Sequence, residues 1–298
     1  MRRILPLVAL FACLASCGGD DSEPGTIALD FQPNAVHAGI YATDLTIRVP
    51  AASTDSLKLL AAGRADMSVV DIHDLGLARE AGSDVVGVGA LVQRPLAAVI
   101  ANGGFVRRPR DLEGMRVGVT GLPSDEAVLR AVVESDGGNY DRVRTVTIGF
   151  SATPSLITGK VDAVVSFWNA EGVALKQRGV HTREFRVDEY GAPRYPELVL
   201  VVTRATLEER ADLVDSMLDE IAAGTREALR NRDEILPKLV RASGADGPLV
   251  VAQFTAVAAA LRPPVELDRK ALEDWARFDE RFGILSEAPD VERAFRLR

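Results

Sequence analysis

Residues 29–41 read Leu-Asp-Phe-Gln-Pro-Asn-Ala-Val-His-Ala-Gly-Ile-Tyr, and the way this stretch folds decides how the rest of the chain is arranged. An apolar run from Thr26 to Phe31 stops at Pro33, and His37, Ala38 and Gly39 then open a turn into a helix. This is the pattern of a strand feeding a loop. In an α/β sheet such a loop lies at the carboxyl end of the strand, where ligands bind and helix N-termini present free N–H groups. Phe31 supplies an aromatic face, Asn34 a donor and an acceptor, and His37 an imidazole, a set able to cradle a flat polar ring. The same residues also suit plainer duty, Phe31 in a core and Asn34 and His37 in a turn or cap.

Upstream of the stretch, Arg2 and Arg3 precede an apolar run from Ile4 to Leu14 and then Leu14-Ala15-Ser16-Cys17. About 20 apolar residues are needed to span a bilayer as a helix, so this short charged-then-apolar start reads as a secretory signal over residues 1–16. The Leu-Ala-Ser-Cys ending resembles a bacterial lipobox, which makes Cys17 the expected lipid attachment point. Residues 17–25, acidic and rich in glycine, then form a flexible tether. The full chain of 298 residues carries a formal charge of −8, and without residues 1–16 it has 33 basic against 43 acidic side chains. That balance argues against nucleic acid as a partner. The chain's two cysteines, Cys13 and Cys17, leave no pair for a disulfide once the signal is removed and Cys17 acylated, so the fold rests on core packing.

Downstream, a second strand is expected over Asp44–Val49, leaving ten residues, Asn34 to Thr43, for a parallel crossover that normally takes a dozen. A shortened first helix, covering its sheet face poorly, is the expected result. Ser53 or Thr54 caps a helix through Ala62, and strand Met67–Val70 runs into Asp71-Ile72-His73-Asp74 at a further strand-to-helix switch. Asp71 either faces a ligand or caps the helix; His73 is expected to orient a backbone group or face solvent. Two continuous apolar runs, Val85–Leu91 and Leu96–Ala101, look like buried parallel strands, and Gln93-Arg94-Pro95 between them would lie at the cleft.

Ser124 stands at the start of a helix where free N–H groups could hold an anion, but Asp125 and Glu126 in that first turn favour a neutral or cationic ring over phosphate. Strand Val161–Phe167 ends in Trp168-Asn169-Ala170-Glu171-Gly172. An indole beside an amide and a carboxylate there makes the opposite wall of a cleft, with hinge packing for Trp168 and a helix-start charge for Glu171 as the competing reading. From Leu207 the chain is helical, and Leu272, Trp275 and Phe278 form a last apolar stripe in which Trp275 is core.

Five stretches in order, LDFQPNAVHAGIY, STDSLKLLAAGRADMSVVDIHDLGLAREAG, VVGVGALVQRPLAAVIA, DLEGMRVGVTGLPSDEAVL and VTIGFSATPSLITGKVDAVVSFWNAEG, resemble the solute-binding proteins of the thiamine-pyrimidine-precursor (NMT1/SsuA-like) family. The resemblance implies an α/β, two-lobed periplasmic-binding-protein type II fold with mostly parallel sheets and a helical C-terminal segment. Lobe I would take 26–98 and 197–298, and lobe II 99–196. It further implies a monomer held as a lipoprotein on the periplasmic face of a bacterial membrane or at the cell surface, delivering a small-molecule ligand to an ABC permease. The ligand expected is a flat polar heterocycle such as an aminopyrimidine thiamine precursor, bound by Phe31, Asn34, His37, Asp71, Gln93, Ser124, Trp168, Asn169 and Glu171.

Relatives carry a further helical segment after the HAGIY element that this chain lacks. A sulfonate- or nitrate-type anion binder is the main alternative, although an anion site would want convergent cations and Arg94 alone stands near. Fungal thiamine-pyrimidine synthases share the fold but use a pyridoxal-phosphate lysine and a cysteine-rich run, and no cysteine follows Cys17. His37, His73 and His181 have no nucleophile elbow, metal-ligand helix or P-loop beside them. No enzyme activity, cofactor or metal is therefore expected.

Overall fold

In the computed structural model, which describes residues 24–52 and 55–297, ten strands form two five-stranded sheets. The first contains β1 (Thr26–Ala28), β2 (Thr46–Arg48), β3 (Met67–Asp71), β4 (Val85–Ala90) and β10 (Leu198–Thr203), in the order β2-β1-β3-β10-β4. The second contains β5 (Ala97–Asn102), β6 (Arg116–Val119), β7 (Arg144–Thr147), β8 (Ala163–Phe167) and β9 (Thr182–Arg186), in the order β7-β6-β8-β5-β9. The two sheets are joined through residues 91–96 and 187–197. The signal segment, Cys17 and the cap residues Ser53 and Thr54 lie outside the described residues. Gly25, assigned above to the tether, belongs to the folded body: it is buried, and a methyl group on it would meet Met217 Sδ at 2.6 Å.

Each sheet is evenly mixed rather than mostly parallel. β1 pairs parallel with β2 and β3, and β6 with β7 and β8, whereas β10 runs antiparallel to β3 and β4, and β5 antiparallel to β8 and β9. The physical reason is that β5 and β10 are the strands that cross between sheets, and each enters its sheet from the hinge end, against the direction of its neighbours.

The short crossover from β1 to β2 is made by a 3-10 helix over Ala35–Ala42. A 3-10 helix rises about 2.0 Å per residue against about 1.5 Å in an α-helix, so the same residues reach about a third farther. This is how ten residues return the chain for a parallel pairing. Contrary to the poor cover expected, residues 35–40 are all buried. They are roofed by α7 (Ala211–Arg230), α8 (Arg232–Ser243) and α9 (Gly247–Val257) from the C-terminal part of the chain. Gly39 and Gly224 make the docking possible: a methyl group on either would fall 2.2 Å from Thr225 Oγ1 or from the Gly39 carbonyl oxygen.

Buried Val214, Met217, Leu218, Ile221, Thr225 and Ala228 give α7 one continuous core face. On the far side, α10 (Arg269–Arg281) buries Leu272, Trp275 and Phe278, with Trp275 wholly inside, as the stripe predicts. One apolar cluster runs from Ile27 in the first sheet through Leu91, Leu96 and Leu198 to Val164 and Trp168 in the second. The hinge is therefore part of the core.

Candidate functional site

Because β10 leaves the hinge antiparallel to β3, and β5 leaves it antiparallel to β8, the carboxyl ends of β3 and β8 point at the hinge. The parallel partners of those strands bring Asp30 and Phe31, Val49, Thr120 and Gly121, and Phe150 to the same side. Ligands in open α/β sheets sit outside such strand ends. Phe31, after β1, and Phe150, after β7, meet across this side with ring centroids 5.1 Å apart and planes 23° apart.

At the floor, Asp71 ends β3 opposite Leu198, beside Glu197 and His73. Asp71 accepts from the His73 N–H at 2.8 Å and so caps α2 (Ile72–Glu80). The His73 ring is bound at both nitrogens, Nδ1 to Asp279 at 2.7 Å and Nε2 to the Tyr195 hydroxyl at 3.2 Å. Glu197, 2% exposed, accepts from the Leu96 N–H at 2.9 Å. Burial alone would strip His73 of its proton, but Asp279, Asp71 and Glu197 push it up to about 10. The balance of these neighbouring charges favours the imidazolium. Burial raises the Asp71 carboxyl well above its ordinary range, with His73 pulling against it and Glu197 and Asp74 adding to it; burial raises Glu197 too, again opposed by His73.

Asp71 and Glu197 therefore hold protons more readily than exposed carboxyls do. Ligand-capable atoms of Asp71, His73 and Glu197 lie within 4.8 Å of one another, a grouping that could take a metal ion. His73 would have to give up Tyr195 or Asp279, and the proton on that nitrogen, to do so.

The start of α3 (Pro123–Ser135) is already occupied by the chain's own carboxylate. Asp125 accepts from the Gly121 N–H at 2.9 Å, the Leu122 N–H at 3.1 Å and the Thr120 hydroxyl. An anion would find those donors spent, in keeping with the expectation that acidic residues disfavour phosphate at this turn.

Trp168–Gly172 forms a single π-helical turn after β8. Trp168 is 3% exposed, donates its backbone N–H to the Leu96 carbonyl and its indole N–H to the Pro95 carbonyl, both at 3.0 Å, and lies under the guanidiniums of Arg186 and Arg94 at 4.1 and 5.5 Å. Glu171 accepts from the Phe167 N–H at 3.1 Å, and burial raises its carboxyl. Asn169 is buried, with its Oδ1 unpaired.

Comparison with known proteins gives this arrangement a lineage. The family model described as NMT1/THI5 like matches residues 37–235. The chain belongs to the NMT1/THI5-like family. It is 32% identical over 253 residues to the formylaminopyrimidine-binding protein of Halalkalibacterium halodurans, covering 80% of this chain and 76% of that one. In structure it is similar to the periplasmic aliphatic sulphonate binding protein SsuA of Escherichia coli, with TM-score 0.75 and 15% identity over 92% of this chain and 97% of that one. It is also similar to the desulfurization enzyme DSZB, with TM-score 0.66 and 16% identity over 92% and 97%. At such identities the last two likenesses speak of fold alone.

Within this NMT1/THI5-like frame the expected site residues fall into separate groups. Asn34 is the N-cap of the 3-10 helix: its Oδ1 accepts from the Val36 N–H, and its own N–H donates to His37 Nδ1 at 3.2 Å. An accepting Nδ1 leaves the proton on Nε2, which donates to Asp30 at 2.6 Å. His37 is fully buried by this pairing. Gln93 points away from the strand ends and donates to the carbonyls of Pro263 and Glu266 at 2.7 and 2.9 Å. Ser124 stands half-buried in the first turn of α3 beside Asp125. Phe31 and Asp71 are at the cleft side, and Trp168, Asn169 and Glu171 share the π-turn.

His73, expected to orient a backbone group or face solvent, is instead 1% exposed at the centre of the floor. Sequence reasoning missed Tyr195, Glu197, Asp279 and Arg186. Two of these had a signal: Glu197 stands immediately before an unbroken apolar strand, and Asp279 lies four residues after the buried Trp275, on the same helix face.

Proposed function

We propose that this chain is the solute receptor of an ABC importer, held outside the cytoplasmic membrane by a lipid on Cys17, and that it captures a small amino-bearing heterocycle of the pyrimidine class for delivery to a permease. The observation that carries the reading is the carboxyl pair Asp71 and Glu197 at the hinge, together with Asp125 holding the Gly121 and Leu122 amides at the start of α3. A carboxyl pair of this kind matches a ring with an amino group and an adjacent ring nitrogen, which offers a donor and an acceptor side by side. The likeness to a formylaminopyrimidine-binding protein supports the same ligand class. A receptor of this form works by closure of its lobes on the solute and needs no reaction. The Asp279–His73–Tyr195 chain has the order of a carboxylate–imidazole–hydroxyl triad, but its phenol is fully buried, and burial first, then the neighbouring carboxylates, raise it well above the ordinary tyrosine range. It serves structure, not attack.

The test is a thermal-shift and calorimetric panel on the purified protein, comparing 4-amino-2-methylpyrimidines with alkanesulfonates and nitrate. The aminopyrimidines raise Tm, and Asp71→Asn weakens them by roughly tenfold, the scale of one lost hydrogen bond. Stabilisation by sulfonates alone would transfer the site to the anion reading. Partition of the wild type, but not Cys17→Ser, with membranes tests the anchor in the same preparation.

A further inference from the structure

The end of the first sheet remote from the hinge carries a cavity that solute capture does not use. β1 runs parallel to β3, and β10 runs antiparallel to both β3 and β4. β1, β3 and β4 therefore all begin at this end, and β10 finishes there. The cavity has a volume of about 570 Å³, within the range of small-ligand sites. Arg79 from the last turn of α2, Asp84 before β4, Arg204 directly after β10, and Glu292 and Arg293 from α11 (Val291–Ala294) line it.

Its charges do not balance. Asp84 accepts from Arg204 Nε at 2.9 Å and stands 4.0 Å from Arg79 Nη1. Glu292 is turned to Arg269, which is not part of the lining. Asp290 spends its carboxylate on capping α11, accepting from the Glu292 and Arg293 N–H groups at 3.0 and 3.3 Å. The Arg293 guanidinium is exposed and, among the described residues, has neither a hydrogen bond nor an ion pair. Three guanidiniums thus face one carboxylate that is not engaged elsewhere. Two of them are held in place by backbone, Arg79 donating to the Val85 carbonyl and Arg204 to the Arg293 carbonyl at 2.9 Å. Burial first, then the charge of Arg204 and, more weakly, that of Arg293, push the Arg79 guanidinium below the ordinary arginine range, with Asp84 and Asp290 pulling the other way. A concave surface with a surplus of forked N–H donors on three sides suits an oxyanion whose oxygens point in several directions, and a tetrahedral phosphate meets that better than a planar carboxylate.

The place of the cavity in the fold points to a source of phosphate. β1 opens at the same sheet end with Thr26, whose N–H donates to Asp66 at 2.8 Å, and Arg210, six residues after Arg204, holds the other oxygen of Asp66. From β1 to β4 is three strand spacings, roughly 14 Å. The chain from Cys17 to Pro24 reaches no farther than about 29 Å when fully extended. A lipid on Cys17 therefore keeps this end of the molecule within reach of bilayer headgroups.

We propose that Arg79, Arg204 and Arg293 form a binding site for a phosphate group, carried by a lipid headgroup or by a free phosphate ester. The site stands apart from the aminopyrimidine reading, and only its assignment to headgroups rests on the lipid anchor proposed above.

Isothermal titration of the Cys17→Ser protein with inorganic phosphate, at constant ionic strength, examines the site without the anchor. Phosphate binds, and Arg293→Gln in the same background weakens it by roughly tenfold, the loss of one charge-assisted hydrogen bond. Lys160→Gln removes the same charge from an exposed position on the other lobe and leaves phosphate affinity unchanged, which separates a site from an effect of net charge. Aminopyrimidine affinity is equal in all three proteins, because the cleft lies at the other end of the sheet. Absence of phosphate binding, equal binding with and without Arg293, or an equal loss in Lys160→Gln overturns the site and leaves the aminopyrimidine reading standing. Co-sedimentation of the same proteins with phosphatidylglycerol vesicles then tells the two sources apart. Vesicle binding that Arg293→Gln weakens assigns the site to headgroups; no vesicle binding, or binding indifferent to Arg293, assigns it to a free phosphate ester.

Discussion

His73 keeps its charge through its neighbours. Burial opposes it, yet Asp279, Asp71 and Glu197 raise it from 6.5 to about 10. A histidine raised on folding stabilises the native state fully below its unfolded value, and that contribution is lost as pH climbs through the folded one. Asp71 and Glu197, also raised, act in the same direction, because their native state prefers the proton that the unfolded chain has already released. Stability therefore falls between about pH 6.5 and about pH 10, the two values that bracket His73. Asp279→Asn flattens this slope, measured as Tm against pH; a variant that keeps the wild-type slope would show that the ion pair is not its source. At this scale the sequence was informative about chemistry and less so about placement. Asp71 was expected at a strand end and is there, but no local pattern tells a reader that Asp279 arrives beside His73 from 206 positions downstream of it. Asn34 and His37 look alike as ligand groups or cap groups until the Asp30 carboxylate is seen to accept the hydrogen bond from the imidazole.

Among the elements, the 3-10 helix Ala35–Ala42 shows how a short connection is rescued. The sequence allowed its brevity to be counted but not its roof to be foreseen, because α7 to α9 lie more than 160 positions downstream. The apolar runs gave the strands, and only the crossing of β5 and β10 between sheets, a matter of topology, set their direction. Helix α7 docks where Gly39 and Gly224 touch. Gly39→Ala would force a methyl group to 2.2 Å from Thr225 Oγ1 and 2.8 Å from its Cα. Overpacking of this kind costs about 1–3 kcal/mol and can cost more when backbone must move. Gly247→Ala, where a methyl group meets nothing within 4 Å, is the matched control. Denaturant unfolding should place Gly39→Ala well below both wild type and control, and equal midpoints would mean the contact between the glycines is not a tight one.

For the molecule as a whole, the decisive contact is one that ties the two sheets together outside the connecting hinge segments. Phe31 and Phe150 stack across the mouth, each on the loop that follows an early strand of its own sheet. Aromatic pairs of this type contribute about 0.5–1.5 kcal/mol beyond the area they bury. Phe150 is 63% exposed even so, which means that replacing it removes little from the core and acts mainly on its contact with Phe31. Phe150→Ala should therefore lower Tm of the free protein only slightly while speeding ligand release, since loss of a contact within a formed complex is felt in the dissociation rate more than in association. Stopped-flow release of a bound aminopyrimidine, run on Phe31→Ala, Phe150→Ala and the double variant, gives the coupling directly. A coupling of about 0.5–1.5 kcal/mol identifies the pair as a contact that helps to hold the ligand-bound receptor together, whereas additive effects on release would reduce the stack to two side chains that merely happen to meet.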